Sequence, residues 1–209
     1  MNCSLCNSSA LHFYSHNHRE FYYCSDCFSI SLDSKNYLSK SDEKAHYDCH
    51  QNDSKDKEYQ KFVSPIVNAV QKDFKSSHKG LDFGCGKDSA IIFLLKKNGY
   101  NIIGYDYYYD NNPKTITKNY DYITCSEVIE HFQNPIAEFK KLYEMLNPGG
   151  RLYCMTELFS ETMNFDEWYY KNDPTHVFFY SEKTIEWIAG HFGFESFSID
   201  KRLIVFSKK

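Results

Sequence analysis

The chain has 209 residues, a formal net charge of −4, and 42% hydrophobic against 25% charged residues, which suits one main globular domain with a small appendage. Its lysines and arginines are scattered among acids rather than gathered in a stripe, which counts against a nucleic-acid partner. No apolar run is long enough to span a bilayer, and Met1 leads directly into polar residues and Cys3; neither a membrane partner nor a secretory leader is expected, and the cytoplasm is the expected location.

Residues 1–30 carry Cys3-x-x-Cys6 and Cys24-x-x-Cys27. Two such pairs about 17 residues apart have the spacing of a structural zinc knuckle, in which each tight turn aims two thiolates at one tetrahedral ion. The segment is too short for a core of its own, so the ion would supply its folding free energy. A redox dithiol is the weaker alternative, because no strand-to-helix junction is evident there. His12, His16 and His18 lie between the pairs and are available as substitute ligands, but they read more simply as surface histidines.

Residues 31–78 are polar, and the spacing of Phe62, Ile66, Val67, Ala69 and Val70 predicts a helix with Pro65 in its first turn. This segment reads as a helical linker or lid, with Tyr47, His50, Asn52 and Tyr59 as candidate lid residues that exclude water; a plain polar linker is nearly as good a description.

Residues 79–209 alternate strand and helix, as a mostly parallel sheet requires. Strands are expected at 80–83, 101–105, 120–125 and 151–156. Helices are expected at 90–95, closed by Gly99, at 135–146, closed by Asn147-Pro148-Gly149-Gly150, and at 182–192. A terminal antiparallel hairpin is expected from 194–199 and 203–207. The fold class is therefore α/β, a Rossmann-like sheet with a small zinc-ribbon-like segment before it. Ligands bind at the carboxyl ends of such strands.

The first strand runs into Leu81-Asp82-Phe83-Gly84-Cys85-Gly86. Gly84 and Gly86 permit a tight turn and close approach of a ligand. Asp82 stands where it would repel a pyrophosphate, and the third glycine of a dinucleotide fingerprint is Ser89 instead. A cationic ligand carrying sulfonium and ammonium groups suits this loop better. Asp106, at the end of the second strand, is placed to accept hydrogen bonds from a ribose diol.

Together with Gly104-Tyr105-Asp106, Tyr120 to His131 and Leu146 to Leu152, this loop resembles the motifs of class I S-adenosylmethionine-dependent methyltransferases over residues 80–157. The stretches His46 to Phe62 and Phe165 to Phe179 extend the resemblance to a group with an N-terminal zinc knuckle. The resemblance implies a methyltransferase-type sheet, S-adenosylmethionine as cofactor, and Asp82, Gly84, Cys85, Gly86, Asp106, Ser126 and Glu127 as its binding residues. Two departures stand out: Asp88 takes the place of a glycine common in the family, and residues 107–119 are short for a helix plus a strand.

For the chemistry, His131 and His176 are the candidate catalytic residues, His176 as the base because an imidazole titrates near neutral pH. Glu127 is a second candidate for orienting cofactor or acceptor, whereas Glu130 reads as an acid at a helix N-terminus. Tyr47, Tyr59, Trp168 and Tyr170 are candidate acceptor-binding residues. The expected activity is methyl transfer to a small molecule at oxygen, nitrogen or carbon. A zinc-ribbon RNA methyltransferase and a non-catalytic cofactor-binding or interaction module are the alternatives.

Overall fold

The structure, a computed structural model, describes residues 1–49 and 53–209. The N-terminal segment forms β1 (Ala10–His16), β2 (Arg19–Cys24) and β3 (Ile30–Leu32), followed by α1 (Lys40–Asp48) and α2 (Lys57–Asp73). The α/β part contributes β4 (Lys79–Phe83), α3 (Ala90–Lys97), β5 (Asn101–Tyr105), β6 (Tyr120–Ser126), α4 (Pro135–Met145) and β7 (Leu146–Met155). It ends with β8 (Phe178–Phe179), α5 (Glu182–Phe192), β9 (Ser196–Asp200) and β10 (Leu203–Ser207). The main sheet has the order β5-β4-β6-β7-β10-β9, with β5, β4, β6 and β7 parallel and the β9–β10 hairpin antiparallel, as anticipated. Residues 107–119 add no strand, which leaves β5 at the edge.

Local chemistry accounts for most boundaries. The Ser89 hydroxyl caps α3 by accepting from the Ile92 N–H, and Gly99 follows that helix at φ +80°. Ser181 and Thr184 form a capping box at the start of α5, and Gly193 ends it in the left-handed conformation. α2 buries Val63, Ile66, Val67 and Val70 against Ile91, Leu95, Tyr122 and Tyr153, worth roughly 1.5–3 kcal/mol for each aliphatic side chain.

Three expectations need correction. Pro65 lies in the interior of α2, not its first turn. Proline has no N–H to offer the Lys61 carbonyl one turn back, and the Ser64 hydroxyl donates to that carbonyl instead, at 2.7 Å. β7 begins at Leu146, which pairs with Tyr120; the register then shifts, so that Asn147 to Gly150 bulge out before Arg151 meets Tyr122. Glu130 is fully buried on the 3-10 turn Ile129–His131, while α4 starts at Pro135 behind the cap Asn134, so Glu130 does not serve that helix's N-terminus.

The cysteine-bearing strands do not stand apart. β3 pairs with β8, giving a four-stranded antiparallel sheet β1-β2-β3-β8 whose last strand comes from the α/β part. One apolar core runs through both, from Leu5, Phe21 and Ile30 to Phe139, Tyr180 and Phe206. Among the described residues, no helix is long and apolar enough to cross a membrane.

Candidate active site and cysteine cluster

The loop after β4 is fixed from three sides. Gly84 and Gly86 have φ of +79° and +62°, and a Cβ on Gly84 would fall 2.4 Å from Cγ2 of Val128, so the first position admits only glycine without rearrangement. The N–H groups of Gly84 and Cys85 both donate to the Tyr105 carbonyl, at 2.8 and 3.2 Å. The N–H of Gly86 donates to Oδ2 of Asp106 at 2.9 Å, while Oδ1 accepts from the N–H groups of Tyr108 and Tyr109. Asp106 thus ties the glycine loop to a run of three tyrosines.

Asp82 lies beneath this loop, with 3% of its surface exposed, and not on the cavity wall. Its carboxylate accepts from the hydroxyls of Ser89 and Thr124, each at 2.6 Å, joining β4, β6 and the start of α3. Burial pushes its pKa up to about 6.

Beside the loop opens a cavity of about 930 Å3, the size of an ordinary small-molecule site. Gly84, Cys85, Gly86, Asp106, Ser126 and Glu127 line one part; Tyr47, Tyr59, His131, Tyr170 and His176 line the rest. Trp168 stands behind the wall, packed among Phe159, Phe165, Phe179 and Tyr170, with Nε1 donating to Glu157 at 3.0 Å. Lys40, Glu43 and the Tyr107–Tyr109 run also line the cavity, and sequence reading did not single them out. α1 carries no buried residue; it docks through polar contacts, Tyr108 Oη to Glu43 and Tyr109 Oη to Asp48, each 2.8 Å. Three adjacent tyrosines after Asp106 were the available signal. Of the four lid candidates, His50 and Asn52 lie outside the described residues.

Glu127 takes a positive φ of +51°, a conformation costly for a side-chain-bearing residue and concentrated at functional sites. Its carboxylate accepts from Arg202 at 2.6 Å and from the Tyr170 hydroxyl at 3.2 Å. Glu130 is fully buried; one carboxylate oxygen accepts from the Tyr170 hydroxyl, and the other has no partner among the described residues. Burial pushes both carboxyls above the usual range, and the neighbouring Glu130 adds to the rise at Glu127. His131 and His176 stand with ring centres 4.8 Å apart. Nδ1 of His131 faces the Thr175 carbonyl at 3.0 Å, and Nδ1 of His176 faces the Tyr170 carbonyl at 2.7 Å. A carbonyl can only accept, so each Nδ1 carries the proton and each Nε2 presents a lone pair. Burial, and then the neighbouring His131, bring the His176 pKa down to about 3, so it is neutral at pH 7, and burial lowers His131 as well.

The four N-terminal cysteines converge. Sγ of Cys3 is 3.5 Å from that of Cys27, and Sγ of Cys6 is 3.4 Å from that of Cys24; all four sulfurs lie within 4.8 Å of one another. None is in a disulfide. His12, His16 and His18 are not part of the cluster. Cys125 and Cys154 are buried core residues, while Cys85 borders the cavity.

Residues 55–199 match the family model described as "Methyltransferase domain". The chain belongs to that family. A ubiquinone biosynthesis O-methyltransferase of Aliivibrio fischeri is 26% identical over 106 residues, covering 37% of this chain and 43% of that protein; the match takes in less than half of the curated relative's length. Among solved structures, a SAM-dependent methyltransferase from Archaeoglobus fulgidus aligns with TM-score 0.57 at 16% identity, covering 71% of this chain and 94% of the other. Burkholderia thailandensis 1,6-didemethyltoxoflavin-N1-methyltransferase, with bound 1,6-didemethyltoxoflavin and S-adenosylhomocysteine, aligns with TM-score 0.58 at 12% identity, covering 96% and 100%. These similarities place the sheet in the Rossmann-like methyltransferase fold.

In this methyltransferase-domain protein the residues fit the family's sulfonium cofactor. Gly84, Cys85 and Gly86 line the cavity directly. The wall beside them carries Asp106 and Glu127 and aromatic faces from Tyr59 and Tyr108, groups that attract a cation.

Proposed function

We propose that this protein transfers a methyl group from S-adenosylmethionine to a small molecule. The observation that carries this reading is one cavity lined both by the glycine loop with Asp106 and by His131, His176, Glu127 and Tyr170. The cofactor, when bound, supplies an electrophilic methyl group. Gly84, Cys85, Gly86 and Asp106 would seat it, with Ser126 and Glu127 at its amino-acid end and Asp82 holding the loop from below. Tyr47, Tyr59 and Tyr170 offer flat walls to an acceptor and exclude water from it. His131 and His176 line the cavity with their Nε2 lone pairs turned away from the backbone carbonyls, and position the acceptor. Because His176 is held neutral, the proton released during transfer is better kept by a carboxyl than by an imidazole; Glu127, on the cavity wall, is placed to receive it. The net charge of −4, and a structural neighbour that binds 1,6-didemethyltoxoflavin, favour a small acceptor over RNA.

The cysteine cluster is read as a structural Zn2+ site formed by Cys3, Cys6, Cys24 and Cys27. Sulfurs about 2.3 Å from a tetrahedral ion lie about 3.8 Å apart, close to the spacing of this cluster. A set of four thiolates leaves no open position for catalysis.

Calorimetric titration with S-adenosylhomocysteine tests the reading. Saturable binding that is lost in Asp106→Ala, with methyl transfer from labelled S-adenosylmethionine into a small-molecule extract, supports it. A folded protein that binds no S-adenosylhomocysteine, or that labels only RNA, overturns it.

A further inference from the structure

We propose that Glu130, His131 and His176 form a second metal site, for a divalent cation, at the acceptor end of the cavity. One potential ligand atom from each lies within 4.8 Å of the others, in a group separate from the cysteines. The residues come from two elements, the 3-10 turn after β6 and the loop before β8, so the fold and not sequence adjacency brings His176 to the other two.

Three features make this more than a cluster of polar groups. First, each imidazole is already oriented as a ligand. Its Nδ1–H is held by a backbone carbonyl, Thr175 for His131 and Tyr170 for His176; metal-bound histidines are characteristically fixed in this way, with the other nitrogen left to the ion. Second, Glu130 is fully buried and one of its oxygens has no partner among the described residues. Arg202, whose charge bears on Glu130, makes its ion pairs with Glu127 and Glu157. His176 Nε2 stands 3.9 Å from Glu130, too far for a hydrogen bond. A cation seated among the three would satisfy that Glu130 oxygen together with the Nε2 lone pairs of the two imidazoles. Third, His131 and His176 open on the cavity, so three protein ligands leave coordination positions facing the acceptor, as catalytic and not structural sites do.

The donor set of two nitrogens and one oxygen is suited to Zn2+, Mn2+, Fe2+ or Co2+, and differs from the all-sulfur cluster at the N-terminus. Ligation would draw the three side chains together by roughly 1 Å from their present spacing. The class of acceptor such a site would take is one that presents an oxygen atom at this end of the cavity. That last step rests on the proposed methyl-transfer reading; the cation site itself does not.

The test uses full-length protein with its cysteine site filled with Zn2+, titrated with Co2+ as the probe. Wild type is expected to take up one further equivalent, with visible bands of a nitrogen–oxygen site and without the intense sulfur-to-cobalt charge transfer of a thiolate site. His176→Gln and Glu130→Gln are each expected to weaken that uptake more than about tenfold, while S-adenosylhomocysteine binding measured on the same samples stays within about twofold. If Glu130→Gln fails to fold by circular dichroism, His176→Gln decides alone. Absence of the extra equivalent in wild type that binds S-adenosylhomocysteine, or equal uptake by the folded variants, overturns the metal site and leaves the methyltransferase reading intact. Cobalt uptake without any S-adenosylhomocysteine binding upholds the site and sinks the other reading.

Discussion

Arg19, on the cysteine-bearing sheet, donates to the main-chain carbonyl of His176 on the cavity wall, at 2.8 Å. The same guanidinium donates to the Lys171 carbonyl at 2.7 Å. One side chain thus braces both ends of the segment that carries Tyr170 and His176. Arg19→Met is expected to lower stability by about 1.5–3 kcal/mol, the usual range for lost hydrogen bonds to a charged group. Arg19→Lys should recover little, because an ammonium cannot reproduce the two-pronged fork. Urea denaturation of the three proteins checks this; equal midpoints would show that the brace carries no weight.

The same connection makes the cysteine cluster matter at a distance. Cys24→Ser with Cys27→Ser should abolish the zinc that a thiol-modifying mercurial releases from wild type. It should also lower the unfolding midpoint of the whole chain, since β3 is paired with β8. Zinc retained by the double variant, with an unchanged melting curve, would refute the assignment.

Gly84 and Gly99 share a φ near +80° but differ in surroundings: a Cβ on Gly99 meets nothing within 4 Å. Gly99→Ala should therefore cost only about 1–2 kcal/mol for its conformation and leave S-adenosylhomocysteine affinity alone. Gly84→Ala adds a collision with Val128, worth about 1–3 kcal/mol more, and should weaken that affinity. Calorimetry and melting of both variants separate the two terms; equal effects on binding would count against the loop as the cofactor seat.

Asp82 gives a pH signature. Its folded-state pKa is about 6, against about 3.9 in an unfolded chain. Over that window the folded state holds a proton the unfolded state has lost, so stability falls as pH rises from about 4 to about 6 and is level beyond it. The effect is on the order of 3 kcal/mol. Asp82→Asn cannot ionise, so its stability relative to wild type should rise by that order between pH 4 and pH 7. A difference that is flat with pH would show that Asp82 titrates normally.

What was legible in the sequence was local. The glycine loop, the caps at Ser89 and Ser181 and the alternation of strand and helix are written in neighbouring residues, and the sheet follows from them. The misplaced features depend on contacts from afar. Pro65 sits inside α2 because Val63, Ile66, Val67 and Val70 on either side of it are buried in one cluster with Ile91, Leu95, Tyr122 and Tyr153. β7 starts early because Leu146 finds Tyr120. α1 lacks an apolar face and forms against tyrosine hydroxyls supplied by the loop after β5. In the site, residue types marked His131, His176 and Glu127, and all three line the cavity. Whether a side chain faces the cavity or the core was not legible: Asp82 and Trp168 lie behind the wall, and Glu130 is buried beneath it.

The two-residue strand β8 also sets a timetable for biosynthesis. Ile30 and Ser31 must wait for Phe179 and Phe178, which leave the ribosome about 150 residues later. At ordinary rates of synthesis that delay is on the order of ten seconds or more. Throughout it the nascent hairpin keeps an open strand edge and uncovered apolar side chains at Phe21, Ile30 and Leu32, surfaces that invite association with other chains. Early metal capture by the cysteines would hold that hairpin in shape until its last strand arrives.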